Sequence, residues 1–554
     1  MTSAIPFDQH LRRVRMPVRS ALRLRPLGDI WHKPALSSVA ALALVLFALL
    51  AIGRLDLVLY AATGAMCALY GHGLPYAARA KALAWTVLGM VSSVGVALVA
   101  AALTDSIAIR VAVAALLAGL HKAACDATRI GPPANVVLTF MTASAAFVPQ
   151  RLSDVPAHVG IALLGGAVAW AVGMAPGLVR PDGPERIAVA RALESAARLL
   201  RARADDQDDD LHQVRNAAAA TVNAAWQTLL HSPAADRRQG LRRLLVRAES
   251  AAARASADSP TTPARALAAD ADVLLSHAHE LRRGRPLPEP SAADPRTAAA
   301  EQAELAGVAS EEGVPAQGTA FRRFLMDMAR GWRVVMRVSA GAGVAGWASM
   351  ALGVGRPYWA VVTAAAVFAA STTLSWSRAL QRVVGNLLGV ALFTLLAPVT
   401  RLGALALIVT VLAMQFVTEA AITRNYWLGS VFVTPIAISM TEFAGVQPVS
   451  VLVADRWVDT CVGAVAGLLA CVLLPDRRAA QRVRDGLDRL ERAVAEPPSA
   501  MQKRAARDRL RADLVELREA ADLAAGEWWS AALPQERIAA AERAGHHRLA
   551  EPAT

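Results

Sequence analysis

Two arginines four residues apart, Arg378 and Arg382, point most directly to a binding chemistry in this sequence. Residues at positions i and i+4 lie on one face of a helix, so both guanidinium groups would meet the same ligand. A guanidinium group forms paired hydrogen bonds with a carboxylate, which indicates recognition of an organic anion. The alternative is that both arginines anchor the end of a membrane helix at the interface.

Two further charges, Arg456 and Asp459, stand three residues apart at the beginning of another apolar stretch. They could pair with each other or with the other half of the chain, and charges retained in membrane segments are often functional. Anchoring at the interface is the alternative for both. Glu419 follows an apolar run and precedes Arg424, so it is either a proton-coupling carboxylate or, as we favour, a charge in a cytoplasmic loop.

Aromatic residues cluster at the ends of the apolar stretches of the second half of the chain. An aromatic belt at the two membrane interfaces accounts for them. Stacking of Trp359 on an aromatic acid is the alternative. The residues concerned are Tyr358, Trp359, Trp376, Tyr426, Trp427 and Trp457.

Glycines at helical spacing accompany these charges. Gly385 and Gly389 are four residues apart, as are Gly463 and Gly467. This pattern of small residues lets two membrane helices approach closely, so all four glycines are predicted to have a packing role.

The elements that position these residues follow from hydropathy and charge. The chain has 554 residues, of which 55% are hydrophobic and 19% charged. Segments 34–179 and 333–475 contain only 11 and 12 charged residues, whereas segment 180–332 contains 42. The pattern predicts an all-α membrane protein in which two transmembrane blocks flank a cytoplasmic helical domain. A basic N-terminus, 1–33, and a helical cytoplasmic tail, 476–554, complete the predicted domains.

Each block contains six apolar stretches near the length of roughly 20 residues that a helix needs to cross a bilayer. In the first block they lie near 34–52, 56–70, 82–103, 107–121, 134–149 and 158–178. In the second block they lie near 336–354, 357–373, 380–398, 402–418, 426–441 and 457–474.

The loop charges predict the orientation. With the N-terminus inside, the loops on the opposite side receive about one basic residue each, namely Arg54, Arg151, Arg356, Arg401 and Arg456. The remaining basic loops and the arginine-rich N-terminus then face the cytoplasm, as the positive-inside rule requires. Because each block has an even number of spans, the middle domain and both termini are predicted to be cytoplasmic.

The two blocks also show a weak internal similarity. Thr86-Val-Leu-Gly89 aligns with Asn386-Leu-Leu-Gly389, and Gly166-Ala-Val-Ala169 aligns with Gly463-Ala-Val-Ala466 at a slightly different offset. Six spans in each copy would make the repeats parallel, with a transport pathway at their seam.

The middle segment has the apolar spacing of an amphipathic helical bundle up to residue 283. Residues 284–318 are rich in Pro, Ala and Glu without an apolar face, so we expect a flexible linker there. The tail is amphipathic and charged, and we expect it to pack on the middle domain or on a second subunit.

The second block resembles the fusaric acid resistance family of membrane transporters, which includes bacterial aromatic acid exporters and, distantly, plant aluminium-activated malate channels. The resemblance rests on Arg356-Pro-Tyr-Trp-Ala-Val-Val-Thr363, Arg378-Ala-Leu-Gln-Arg382 and Asp455-Arg-Trp-Val-Asp459. It implies export of weak organic acids from a bacterial cell, a multi-pass location in the inner membrane, and assembly as a homodimer or a larger homo-oligomer. The first block has no counterpart of Arg378 and Arg382 in register, nor of Arg456 and Asp459.

Other classes of function lack their signatures. There is no G-x-x-x-x-G-K-[ST] loop and no enzyme-like constellation, so we expect neither catalysis nor a cofactor. His277-Ala-His279-Glu280 and His546-His547 lack zinc spacing, and the four cysteines lack C-x-x-C spacing, so no metal site is expected. The net charge of +13 collects beside apolar stretches, which argues against nucleic acid as a partner. His72 and His121 are either proton relays or ordinary loop histidines.

The sequence therefore predicts a membrane transporter, and the family resemblance implies that it exports small organic acids, in particular aromatic carboxylic acids, across the lipid bilayer in a proton-coupled manner. Two alternatives stay open. One is a passive organic-anion channel, and the other is a membrane scaffold whose function is indifferent to Arg378 and Arg382.

Overall fold

The computed structural model describes residues 16–205, 208–231, 235–256, 263–287, 320–442, 448–474, 479–495, 503–528 and 533–550. Every regular element in these ranges is a helix, which confirms the predicted all-α membrane class. Most of the expected linker 284–318 lies outside the described residues.

A short helix, α1 (Val18–Leu22), precedes the first block. The helices of the first block coincide with the predicted spans. These helices are α2 (His32–Ala51), α3 (Val58–Ala65), α4 (Tyr76–Leu103), α5 (Ile107–Thr128), α6 (Asn135–Ala145), α7 (Val155–Met174) and α8 (Pro176–Val179). Single 3-10 turns at Leu55–Leu57 and Met66–Leu69 extend α3 at its two ends.

The middle segment forms four helices around a core of alanine and leucine side chains. The helices are α9 (Gly183–Ala204), α10 (Asp208–Leu230), α11 (Ala235–Ser256) and α12 (Ala264–Arg283). Helix α9 lies in the centre, because it contacts the other three. Helices therefore lie where the amphipathic spacing of the middle segment predicts them.

The second block begins after helix α13 (Ala320–Arg330). Its helices again coincide with the predicted spans, and they are α14 (Trp332–Ala351), α15 (Tyr358–Val367), α16 (Thr372–Thr400), α17 (Ala404–Arg424), α18 (Tyr426–Glu442) and α19 (Val449–Leu473).

Seven helices in the described part of the chain are long and apolar enough to cross a membrane, four in the first block and three in the second. The others are shorter or less apolar. Helix α15 has ten residues and spans about 15 Å at 1.5 Å per residue, about half of the hydrocarbon core. All ten residues are buried inside the protein. Neighbouring side chains there can form hydrogen bonds with the backbone groups at the helix ends that have no partner within the helix.

Contacts between the blocks follow a reciprocal pattern. The fourth helix of the first block, α5, packs on the first helix of the second block, α14. The fourth helix of the second block, α17, packs on the first helix of the first block, α2. The parallel repeat itself stays a prediction, but this pairing is the one that such a repeat would produce.

The tail forms α20 (Ala479–Ala495), α21 (Lys503–Ala525) and α22 (Gln535–Ala550) around a small apolar core. It packs on the middle domain, where the buried side chains of Arg511 and Glu249 form an ion pair. The loop after α21 reaches the second block, since the Thr373 amide donates to the Gly526 carbonyl at 2.9 Å.

The segment before α2 lies across the same end of the second block. Asn425 Nδ2 donates to the carbonyls of Ala21 and Arg23, both at 2.9 Å, and Trp427 Nε1 donates to Leu22 at 3.1 Å. The N-terminal segment, the middle domain and the tail therefore gather at the end of the membrane helices where α16 begins. That this end faces the cytoplasm stays a prediction.

Candidate functional site: a polar column in the second block

Helix α16 presents one polar stripe to the interior of the second block. Arg378, Arg382 and Asn386 follow each other at intervals of four residues, so they lie on one face over about 12 Å. Arg382 is 6% exposed and Asn386 is 3% exposed. The structure thus places Arg382 inside the protein, and the interfacial anchor does not describe its position.

Tyr426 at the start of α18 binds both arginines. Arg382 Nη1 donates a hydrogen bond to Tyr426 Oη at 2.8 Å. The guanidinium carbon of Arg378 lies 4.0 Å from the centroid of the Tyr426 ring, a cation–π contact. In the part of the chain that the structure describes, neither arginine forms an ion pair. The two cations therefore have no carboxylate partner among the described residues.

Asn386 connects α16 to α18 and α19. Its Oδ1 accepts hydrogen bonds from Thr434 Oγ1 at 2.8 Å and from Arg456 Nε at 3.2 Å. Its Nδ2 donates to the Arg456 carbonyl at 3.3 Å and to Thr460 Oγ1. All the hydrogen-bonding groups of the amide are used, which fixes the orientation of the Arg456 side chain.

We call the polar group formed by Arg378, Arg382, Asn386, Arg456 and Asp459 the polar column. Arg456 is its deepest cation. It is 2% exposed, and its guanidinium carbon lies 4.8 Å from the centroid of the Trp359 ring. Its Nη1 is buried without a hydrogen-bond partner. A buried guanidinium group with an unused donor is costly, so its position favours an anionic ligand beside it.

Asp459, one turn further along α19, is fully buried. Its Oδ1 accepts a hydrogen bond from Ser349 Oγ of α14, while its Oδ2 has no partner. Among the described residues Asp459 and Arg456 form no ion pair with each other. The side chains instead engage α14 and α16, so the two charges are held separately.

Trp359 lies in the core of the second block and is fully buried. Two arginines contact its ring. The guanidinium carbon of Arg356 lies 5.4 Å from the ring centroid, and that of Arg456 lies 4.8 Å from it. Tyr358 is 6% exposed. The aromatic-belt interpretation is therefore wrong for these two residues, because α15 is enclosed by other helices.

The four glycines occupy close helix contacts. A Cβ atom on Gly385 would lie 2.4 Å from the Trp427 carbonyl oxygen, and one on Gly389 would lie 2.6 Å from Thr434 Cβ. A Cβ on Gly463 would lie 2.6 Å from the Ala360 carbonyl oxygen, and one on Gly467 would lie 3.0 Å from that of Ala364. These contacts bring α16 against α18 and α15 against α19, which closes the column on two sides.

Glu419 lies apart from these residues. It is inside α17, whereas the favoured interpretation placed it in a loop, and that interpretation is wrong because the helix continues to Arg424. Gln415 Nε2 donates to Glu419 Oε1 at 3.1 Å and to Ser38 Oγ of α2 at 3.3 Å. Glu419 therefore belongs to the contact between the two blocks.

The loop interpretation of the two histidines holds for His72 but not for His121. His121 lies inside α5, where its Nε2 is 2.9 Å from Ser93 Oγ. His72 is in a loop but is buried, 2.8 Å from Arg79 Nη2 through its Nδ1. Three or more metal-ligating side chains do not converge anywhere in the described ranges.

Sequence reasoning identified the arginines but assigned no role to Asn386, Ser349 or Thr434. One signal was available, since Asn386 continues the four-residue spacing of Arg378 and Arg382 on α16. Ser349 and Thr434 offered none, because a single hydroxyl residue in an apolar helix is common.

Fold and column together define a polytopic helical membrane protein with a cation-rich interior in its second half. Residues 344–470 match the family model described as fusaric acid resistance protein-like. This match confirms the resemblance that the motifs of the second block indicated, and it covers the column from Ser349 to Asp459.

Similarity also extends over most of the chain. An uncharacterized membrane protein, YvaC, of Bacillus subtilis (strain 168) is 28% identical over 546 residues, which cover 93% of this chain and 84% of that protein. No solved structure matches the chain. The protein is thus an integral membrane protein whose second block is fusaric acid resistance protein-like, a family consistent with transport.

Proposed function

We propose that the protein exports small organic anions, aromatic carboxylates in particular, through the polar column of the second block. The carboxylate would enter at Arg378 and Arg382, at the end of the block where the polar domains gather. It would then reach Arg456 of α19, which is hydrogen-bonded to Asn386, the next position of the stripe after Arg382. In this proposal that end faces the cytoplasm and the protein works as a homodimer.

The observation that carries the proposal is the unused Nη1 donor of buried Arg456. Among the described residues of the column itself, Arg378, Arg382 and Arg456 stand with one carboxylate, Asp459, so an added monoanion lowers the unbalanced charge. The Trp359 ring beside Arg456 supplies a flat apolar surface, which favours an aromatic body on the anion. Family resemblance is the second support for this substrate class.

We also propose that transport is coupled to protons and that Asp459 is the group that carries the proton. A carboxylate that is buried, unpaired with any cation among the described residues and free at Oδ2 can take up and release a proton. Its helix also holds Arg456, one turn away, so protonation of Asp459 would change the charge that the substrate meets.

The test is transport by the full-length protein in liposomes under an imposed pH gradient, with benzoate as the probe. We expect gradient-driven benzoate flux that Arg382→Ala and Arg456→Gln remove. Arg401→Gln is the matched control, because Arg401 is exposed at the far end of α16.

Two outcomes would contradict the proposal. Benzoate flux that generates current and ignores the pH gradient would make the protein a passive anion channel. Flux absent from a protein that is folded and correctly inserted, with other aromatic acids giving the same result, would favour the scaffold.

A further inference from the structure

A cavity of about 260 Å³ lies between the first block and the middle domain. Ile30, Lys33 and His72 approach it from the membrane side, and Ile187 and Arg191 of α9 approach it from the middle domain. It is separate from the polar column, which is built entirely from helices of the second block.

The walls of the cavity are mostly apolar and small. Helix α10 presents Ala220 and Ala224, four residues apart, and its short side chains leave the space open. The two threonine hydroxyls of this wall, those of Thr221 and Thr228, already donate to carbonyls of their own helix. A ligand here would therefore place an apolar body against α9 and α10.

Lys33 supplies a free positive charge. Within the described ranges its ammonium group forms no side-chain hydrogen bond and no ion pair. Among the charged groups that act most strongly on it are three arginines, Arg79, Arg180 and Arg191, and one carboxylate, Asp29. These groups make the surroundings of Lys33 mainly positive.

The carboxylate of Asp29 is already bound by two arginines. Asp29 accepts hydrogen bonds from Arg191 Nη2 at 2.6 Å and Nε at 3.0 Å, and from Arg282 Nη2 at 3.0 Å. Arg191 and Arg282 therefore hold the Asp29 carboxylate on the middle domain through charge-assisted hydrogen bonds.

A second uncompensated cation stands behind the cavity wall. Arg79 is 3% exposed, and its Nη2 lies 2.8 Å from Nδ1 of His72. His72 Nε2 lies 2.8 Å from the Ala68 carbonyl, so it donates there and Nδ1 accepts from Arg79. Burial and the Arg79 charge lower the pKa of His72 to about 3, which keeps it neutral. Arg79 Nε has no partner.

We propose that this cavity binds a small organic monocarboxylate, whose carboxylate pairs with Lys33 and whose apolar body contacts Ile187, Ala220 and Ala224. One free ammonium group matches one negative charge better than it matches a dianion. The volume accommodates a ring the size of benzoate. The site is independent of transport through the second block, and binding alone tests it.

The experiment is calorimetric titration of benzoate into the full-length protein in lipid-free detergent at pH 7. We expect saturable binding that Lys33→Gln weakens at least about tenfold, the loss of one charge-assisted contact. Lys81→Gln is the matched control. Lys81 is exposed near the beginning of α4 and does not line the cavity, so its substitution should leave the affinity unchanged. Ala224→Leu fills the cavity and should abolish binding.

Further arms separate this cavity from other sources of binding. Arg456→Gln removes the deepest cation of the column and should leave the Lys33-dependent binding intact. Binding that Arg456→Gln removes and Lys33→Gln preserves would overturn the proposal, as would failure to bind benzoate.

Inorganic phosphate should compete poorly with benzoate. Protein returned to phosphatidylglycerol nanodiscs should still bind benzoate. If phosphatidylglycerol displaces benzoate completely, the site takes a lipid headgroup and the proposal is wrong. Thermal unfolding of each variant verifies that the protein is folded.

Discussion

The first and second blocks have the same order of helices but opposite interiors. Among the described residues, the first block has an extensive apolar core from Ala41 of α2 to Ala169 of α7, which side chains of α17 and α18 complete. Its one buried arginine, Arg79, lies in the first turn of α4. The second block buries Arg382, Arg456 and Asp459 well inside its helices. The comparison teaches that two blocks of membrane helices in one chain can differ in where they bury charge, near a helix end in the first block and deep within the helices in the second.

The largest expected effect concerns the deepest cation of the second block. Arg456→Gln should lower benzoate transport in liposomes about tenfold to a hundredfold, the value of one hydrogen bond to a charged group. Arg79→Gln, the buried arginine of the first block, should leave the transport rate within about twofold, because it lies outside the column. Equal losses in both variants would break the distinction between the blocks.

Asp459→Asn should uncouple flux from the pH gradient. Asparagine keeps the shape and can still accept from Ser349 Oγ, but it cannot exchange a proton. We expect accumulation of benzoate against its gradient to disappear, while downhill exchange continues. The measurement is uptake with and without an imposed pH difference. Accumulation that survives in the variant would remove Asp459 from the coupling mechanism.

The aligned glycines of the two blocks sharpen the same comparison. Gly389→Ala should destabilise the protein by about 1 to 3 kcal/mol, because its Cβ would meet Thr434 and the Val431 carbonyl within 2.7 Å. Gly89→Ala should stabilise it by about 0.4 to 1 kcal/mol, since nothing lies within 4 Å of the added Cβ in α4. Thermal unfolding in detergent measures both. Similar shifts would mean that the two helices pack alike.

The smallest effect belongs to the contact of the N-terminal segment with the middle domain. Burial alone would raise the pKa of Asp29, but the hydrogen bonds and charges of Arg191 and Arg282 outweigh it and lower the pKa from 3.8 to about 2. A lowered pKa in the folded protein contributes stability at pH values above 3.8, and this stability is lost as the pH falls toward 2.

Asp29→Asn should therefore cost about 1 kcal/mol at pH 7 after allowance for solvent screening, and less near pH 3. Thermal unfolding at the two pH values tests this. Asp56→Asn, an exposed ion pair with Arg54, is the control and should change little at either pH. A loss that is larger at low pH would contradict the assignment.

The sequence predicted the helices better than it predicted their surroundings. All twelve apolar stretches coincide with helices, because lipid requires apolar side chains and internally bonded backbone over a fixed length. Local spacing also placed Arg378 and Arg382 on one face. The prediction failed for Glu419, because an apolar run that ends in a polar residue does not reveal whether the helix continues. It failed for Trp359, because the residue type does not reveal whether the side chain contacts lipid or other helices.

Amino-acid order by itself determined the membrane class, the middle helical bundle and the faces on which the charges stand, since all three depend on neighbours a few residues apart. Only the tertiary structure decided that Arg456 meets Asn386, 70 residues away, and that Asp459 meets Ser349, 110 residues away. The cavity at Lys33 likewise needs α9 and α10 of a separate domain. Periodicity fixes the direction of a side chain from one helix, whereas the partner it reaches depends on how all the helices pack together.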